Sequence, residues 1–139
     1  MNDKVFVDTN ILIYAHDLDA GEKQKVASKL VQKAWEQRNG IISTQVLQEF
    51  YVNVTRKITP PLSKIEARKL LKNYSAWDVQ IITPDLVLEA SEIEEQHQLS
   101  FWDSMIISAA RNGGAAQLLT EDLNHGQEIE NIVIVNPFL

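Results

Sequence analysis

Asp8 closes the run Val5-Phe6-Val7 and is followed by Thr9 and Asn10, which puts a carboxylate at the end of an apolar strand candidate. Asp122, in LLTEDL, follows a second such run that ends at Thr120. Asp103, in SFWDS, falls in the first turn of a helix candidate, and Glu49, in LQEFY, lies mid-helix beside the apolar Phe50. In open α/β sheets, ligands bind outside the carboxyl ends of the strands, where the strand order reverses. Carboxylates placed there can serve as bases or nucleophiles. Singly, each acid has a plainer role: Asp8 as a helix N-cap, Asp103 as the acid of a capping box, Glu49 as a solvated helix residue, Asp122 in a turn.

Other chemistries are poorly furnished. The chain has no cysteine, which removes thiolate ligands, a thiol nucleophile and a disulfide framework, and fits a reducing compartment. His16, His97 and His125 are scattered and read as surface polar residues; acid–base catalysis by a histidine pair would need two of them brought together. A phosphoryl-transfer enzyme with Asp8 as nucleophile is a second class of reading, but Asp8-Thr9-Asn10 has no further acid two residues on, and no lysine lies near the later strand ends. A noncatalytic binding module on the same fold is a third.

The elements that must position these acids alternate. Val5–Val7, Ile41 and Ile42, Val79–Ile82, Gln117–Thr120 and Ile132–Val135 read as five short strands. Between them the apolar spacing predicts helices over Ile11–Ala15, Glu22 to about Arg38, Ser43 or Thr44 to about Lys57, Ser63 to about Tyr74, Thr83 to about His97, and Ser100 to Gly113. Gly40 is expected to end the second helix. Ser63 with Glu66, and Ser100 with Asp103, fit capping boxes, and Thr83-Pro84 is an N-cap followed by proline at the first helical position. Short apolar strands alternating with helices predict a three-layer α/β/α sandwich around a mostly parallel sheet of about five strands, with residues 1–139 as a single domain.

Composition agrees with such a fold: 45% hydrophobic and 23% charged residues are enough to form a core without predicting disorder. No apolar stretch approaches membrane length and no cleavable leader is evident at the amino terminus, so a cytoplasmic protein is expected. The net charge of −6 is unevenly distributed, +4 over residues 1–72 and −10 over residues 73–139. That asymmetry predicts one basic and one acidic face.

The motifs together resemble the PIN-domain family of metal-dependent nucleases. VFVDTN is similar to that family's opening strand and first acid, QEF to its helical glutamate, FWDS to its third acid, LLTED to its strand-then-acid element and IVIVNPFL to its ending. The resemblance spans Lys4 to Phe138. It implies that Asp8, Glu49, Asp103 and Asp122 form an acidic catalytic pocket oriented by Asn10 and Thr120. Many members carry another acid three residues past the Asp122 position, where this chain has His125, and Glu121 adjoins Asp122, so the sequence leaves open which of the two points inward.

What the resemblance implies is an endoribonuclease that leaves a 5′-phosphate and a 3′-hydroxyl, of the toxin kind restrained by an antitoxin partner, and commonly a homodimer. Four gathered carboxylates would raise one another's pKa until some were neutral. Mg²⁺ or Mn²⁺, which prefer oxygen ligands, would relieve that conflict and activate a water against the phosphodiester. Lys25, Lys29 and Lys33, and again Lys64, Arg68 and Lys72, recur at i, i+4 and i+8. Each stripe opposes helix formation by ~0.2 to 0.5 kcal/mol per like pair. They are candidates for RNA binding, or else solvated helix faces softened by Glu22, Glu36 and Glu66. Trp35, Trp77 and Trp102 read as core or interface residues that could alternatively stack unpaired bases.

Overall fold

The first strand, β1 (Val5–Val7), leads after a single residue into helix α1 (Thr9–His16), in a computed structural model that describes residues 2–139. There follow α2 (Glu22–Gln37), β2 (Gly40–Ser43), α3 (Thr44–Arg56), α4 (Lys64–Tyr74), β3 (Asp78–Gln80), α5 (Pro84–His97), α6 (Phe101–Asn112), β4 (Gln117–Leu119), β5 (Glu128–Ile129) and β6 (Ile132–Val135). The strands form one sheet in the order β3-β2-β1-β4-β6-β5. All neighbours are parallel except β5, which runs antiparallel to β6.

Parallel strands joined through helices take right-handed crossovers. The two connections running outward from β1 to β3 therefore place α1–α4 on one face, and the return from β3 to β4 places α5 and α6 on the other. The result is a three-layer α/β/α sandwich. Phe6, Ile41, Ile42 and Leu118 of the sheet are buried between Leu12 and Phe50 on one side and Ile107 on the other. Strand order reverses between β1 and β4, so the ends of these two strands open the crevice in which such folds place ligands. No helix among the described residues is long and apolar enough to cross a membrane.

The helix starts follow local chemistry. Ser43, Ser63, Thr83 and Ser100 each accept a backbone N–H with their side-chain oxygen, at Val46, Glu66, Leu86 and Asp103 respectively. Three departures from the sequence expectation have a visible cause. Helix α2 is stopped by Arg38, which takes the left-handed conformation at φ 54°, rather than by Gly40, which is the first residue of β2. Strand β3 covers Asp78–Gln80 instead of Val79–Ile82 because its partner ends: Gln80 pairs with Ser43, the N-cap of α3, and Ile82 N–H then turns to Thr44 Oγ1 at 3.2 Å. A sixth strand, β5, occupies a stretch expected to be loop. It forms a hairpin with β6 whose two connecting residues, Glu130 and Asn131, both take positive φ, 50° and 64°, as two-residue hairpin turns require.

Gly40 has a steric reason to lack a side chain. A Cβ there would stand 2.6 Å from Cε3 and 2.7 Å from Cζ3 of Trp77. That ring is held in turn by edge-to-face contacts with Trp35 at 5.5 Å and Tyr74 at 5.3 Å. Gly40→Ala should therefore cost ~1–3 kcal/mol by overpacking, read as a lower urea midpoint with an unchanged m-value.

Candidate active site

Asp8 caps α1 at the end of β1, with only 6% of its surface exposed. Thr9 N–H donates to its Oδ1 at 2.7 Å, and Thr120 Oγ1, from the end of neighbouring β4, donates to its Oδ2 at 2.8 Å. Both carboxylate oxygens are thus held by groups that follow directly from the two central strands. The Asp8 N–H itself donates to Leu119 O at 3.0 Å, locking the two strand ends together.

Three further acids face the same place. Glu49 lies on α3, and Thr9 Oγ1 donates to its Oε1 at 2.7 Å. Asp103 lies in the first turn of α6, where its N–H donates to Ser100 Oγ at 3.1 Å while its side chain lines the cleft. Asp122 N–H donates to Thr120 Oγ1 at 3.1 Å, and Asn10 Nδ2 reaches its two oxygens at 3.3 and 3.4 Å. Asp8, Glu49, Asp103 and Asp122 together line a cleft of about 120 Å³ at the strand-order reversal, with Thr9, Asn10, Gln45, Asn53, Trp102 and Ile106.

The electrostatics join these residues into one group. Burial pushes Asp8 up from an ordinary 3.8 to about 7; the hydrogen bonds from Thr120 and Thr9 oppose the rise, and the charges of Asp122 and Glu49 add to it. Asp122 is raised by burial and then by Asp103, Glu121 and Glu49. As they stand, no three acidic or histidine side chains among the described residues are close enough to hold a metal ion. The donor chemistry nonetheless suits a hard divalent cation: all-oxygen ligands, mutually repelling, with two of the four carboxyls held above their ordinary range.

The structure resolves which of the adjacent acids turns inward. Glu121 accepts from the Tyr14 hydroxyl and pairs with Lys23 Nζ at 2.7 Å. Burial pushes its carboxyl up, but the Lys23 and Tyr14 hydrogen bonds and the Lys23 charge outweigh that and lower it. Asp122 is the one left facing the cleft. His125 takes no place there; its Nδ1 accepts the Asn136 N–H at 3.0 Å.

The basic stripes are not brought to the cleft: none of Lys25, Lys29, Lys33, Lys64, Arg68 and Lys72 lines it. Lys33 instead borders a separate hollow of about 330 Å³ with Val5 and Gln117, at the starts of β1 and β4 and hence at the opposite end of the sheet. Lys25 pairs with Glu22 at 3.1 Å. His16 is not a surface residue. It is half-buried, bonded at 2.7 Å to the Tyr74 hydroxyl and packed edge-on against Phe50, and burial lowers its pKa. Trp77 belongs to the core and Trp35 packs against it, whereas Trp102 stands 65% exposed on the cleft rim.

Sequence reasoning missed Thr9, Gln45 and Asn53 as cleft residues. The signal was the spacing of Gln45, Glu49 and Asn53 at i, i+4 and i+8, which places polar side chains along one face of α3.

The PIN domain profile matches residues 5–127. The chain belongs to the PIN-domain family. No curated protein matches it in sequence. Among solved structures, this PIN domain is similar to the VapC20 toxin of Mycobacterium tuberculosis, described as cleaving the sarcin-ricin loop, with a TM-score of 0.66, 20% identity, and coverage of 86% of this chain and 92% of that one. A toxin-antitoxin complex from Klebsiella pneumoniae gives a TM-score of 0.70 at 22% identity over 96% and 98% of the two chains. DNA-bound VapBC from Salmonella typhimurium gives 0.65 at 17% identity over 95% and 96%. At these identities the likeness is one of fold.

The raised Asp8 has a measurable consequence. Between its ordinary value and about 7 the folded PIN domain keeps a proton that the unfolded chain has released, so this contribution to stability is present below pH 4 and lost as the pH rises through 7. In EDTA, the stability of wild type relative to Asp8→Asn should fall by on the order of a few kcal/mol between about pH 4 and pH 8. Parallel pH profiles of the two proteins in urea melts would contradict it.

Proposed function

We infer that this PIN domain is an Mg²⁺- or Mn²⁺-dependent endoribonuclease, the toxin of a toxin-antitoxin pair. The observation that carries the reading is the convergence of Asp8, Glu49, Asp103 and Asp122, from the ends of β1 and β4 and from α3 and α6, on one cleft where the strand order reverses. Membership of a nuclease family supports it, as does the likeness in fold to a sarcin-ricin-loop-cleaving toxin and to toxin-antitoxin complexes.

The four carboxylates would hold the ion, which when bound lowers the pKa of a water and polarises a phosphoryl oxygen. The chain's own residues do the rest. Thr9 N–H and Thr120 Oγ1 fix both oxygens of Asp8, Thr9 Oγ1 fixes one oxygen of Glu49, and Asn10 restrains Asp122. Carboxylates held this way cannot turn out to solvent to escape one another. One of them takes the proton of the attacking water as the phosphodiester opens. The exposed Trp102 offers an aromatic face at the rim on which an unpaired base can stack beside the reacting phosphate. A small antitoxin protein is the expected partner and a homodimer the expected assembly.

Asp103→Asn should reduce Mg²⁺-dependent RNA cleavage by at least about a hundredfold with the thermal melt preserved; cleavage at the wild-type rate in clean preparations removes Asp103 from the mechanism. Independently of activity, saturating Mn²⁺ should raise the melting temperature of wild type and raise that of Asp8→Asn much less. An equal rise in both proteins argues against the cleft as the binding place.

A further inference from the structure

Asp122 is the one cleft acid carried neither on a helix nor at a helix cap. It lies in residues 120–127, the stretch between β4 and β5 that forms no helix or strand. Its own ties are a backbone N–H bond to Thr120 Oγ1 at 3.1 Å and the long contacts from Asn10 Nδ2 at 3.3 and 3.4 Å. Against these, the charges of Asp103 and Glu49 push on it across the cleft. A carboxylate under that repulsion on an irregular segment needs a further anchor.

Its neighbour Glu121 supplies one. Glu121 Oε1 accepts from the Tyr14 hydroxyl on α1, and its Oε2 accepts from Lys23 Nζ, on the first turn of α2, at 2.7 Å. The ammonium also stands 5.0 Å from the centre of the Tyr14 ring and 5.3 Å from that of Phe138, within the range of cation–π attraction, and those two rings meet edge to face at 5.4 Å. Each of the four side chains touches at least two of the others. Lys25, by contrast, pairs only within its own helix. A half-exposed ion pair adds little to global stability, so the effect of this cluster is one of placement. Adjacent Cα atoms are about 3.8 Å apart, and pinning Glu121 to α1 and α2 therefore limits where Asp122 can stand.

We propose that Tyr14 and Lys23 are positioning residues for the acidic cleft: by clamping Glu121 they hold Asp122 among the other three carboxylates, where it can share a divalent cation. The inference rests on the nuclease reading for the identity of that cation. Neither residue lines the cleft. They act only through the Glu121-Asp122 peptide, and releasing Glu121 lets Asp122 retreat from Asp103 and Glu49.

The test uses the full chain with Lys23→Met, which removes the ammonium and keeps the stem, Lys23→Arg, which keeps the charge, and Tyr14→Phe, which removes only the hydroxyl. In EDTA all three should melt within about 4 °C of wild type. By titration calorimetry, Mn²⁺ affinity should fall about tenfold in Lys23→Met and at least about threefold in Tyr14→Phe, with most of the loss recovered in Lys23→Arg. Cleavage of an RNA oligonucleotide by Lys23→Met should be weak at low Mg²⁺ and recover as Mg²⁺ is raised. Should Lys23→Met fold poorly, Tyr14→Phe carries the same comparison. Wild-type Mn²⁺ affinity in Lys23→Met and Tyr14→Phe, or a cleavage defect that no amount of Mg²⁺ relieves, overturns the proposal while leaving the nuclease reading intact. A wild type that takes up no Mn²⁺ overturns both.

Discussion

The architecture around the cleft depends on keeping one carboxylate, Asp8, out of water at the junction of two parallel strands. Burial disfavours its charge, and the fold compensates with two hydrogen bonds, one from the residue that begins α1 and one from the hydroxyl that ends β4. Neither donor is adjustable: Thr9 N–H is fixed by the helix it starts, and Thr120 by the strand it closes. The strand order follows from the same junction. Only if β4 lies directly beside β1 can Thr120 reach Asp8 and Asp122 stand opposite Asn10. The sheet therefore does more than carry the core, because its reversal point sets the distances between groups that repel.

The other helices answer to this junction. Helix α3 starts from the buried strand β2 and lays Gln45, Glu49 and Asn53 along the cleft, with Phe50 and Val54 packed into the core beside them. Helix α6 brings Asp103 in from the opposite face on its first turn, where the N-terminal end of the helix favours a negative side chain. Acids supplied from both faces of a sheet can meet only at its edge of strand ends. That is the reason a sheet covered on both faces, rather than on one, suits this kind of site.

Much of this was legible in the chain because it is local. Ser63 with Glu66, Thr83 before Pro84, and Ser100 with Asp103 mark helix starts by chemistry that acts within four residues; the last of these places Asp103, while the apolar runs Val5–Val7 and Gln117–Thr120 place Asp8 and Asp122 at strand ends, and the apolar arc around Phe50 places Glu49 mid-helix. What could not be read depended on partners distant in sequence. Whether Glu121 or Asp122 faces inward is decided by Lys23 and Tyr14, about a hundred residues earlier. The end of β3 is decided by where β2 stops. The β5–β6 hairpin turns on Glu130-Asn131, which lacks the glycine that usually announces a two-residue turn. His16 looked like a surface residue because its neighbours Phe50 and Tyr74 come from other helices.

The short hairpin also matters at the molecule's margin. Without β5, the sheet would finish on β6, four residues of Ile-Val-Ile-Val with a row of unsatisfied backbone groups. With it, the outermost strand on that side is two residues long, and the strand at the other margin, β3, is only three and begins with an aspartate. Strands this brief give a neighbouring chain too little ladder to extend. A protein whose apolar strands would invite fibre growth if laid bare thereby ends, at both margins of its sheet, on strands too short to serve as a template.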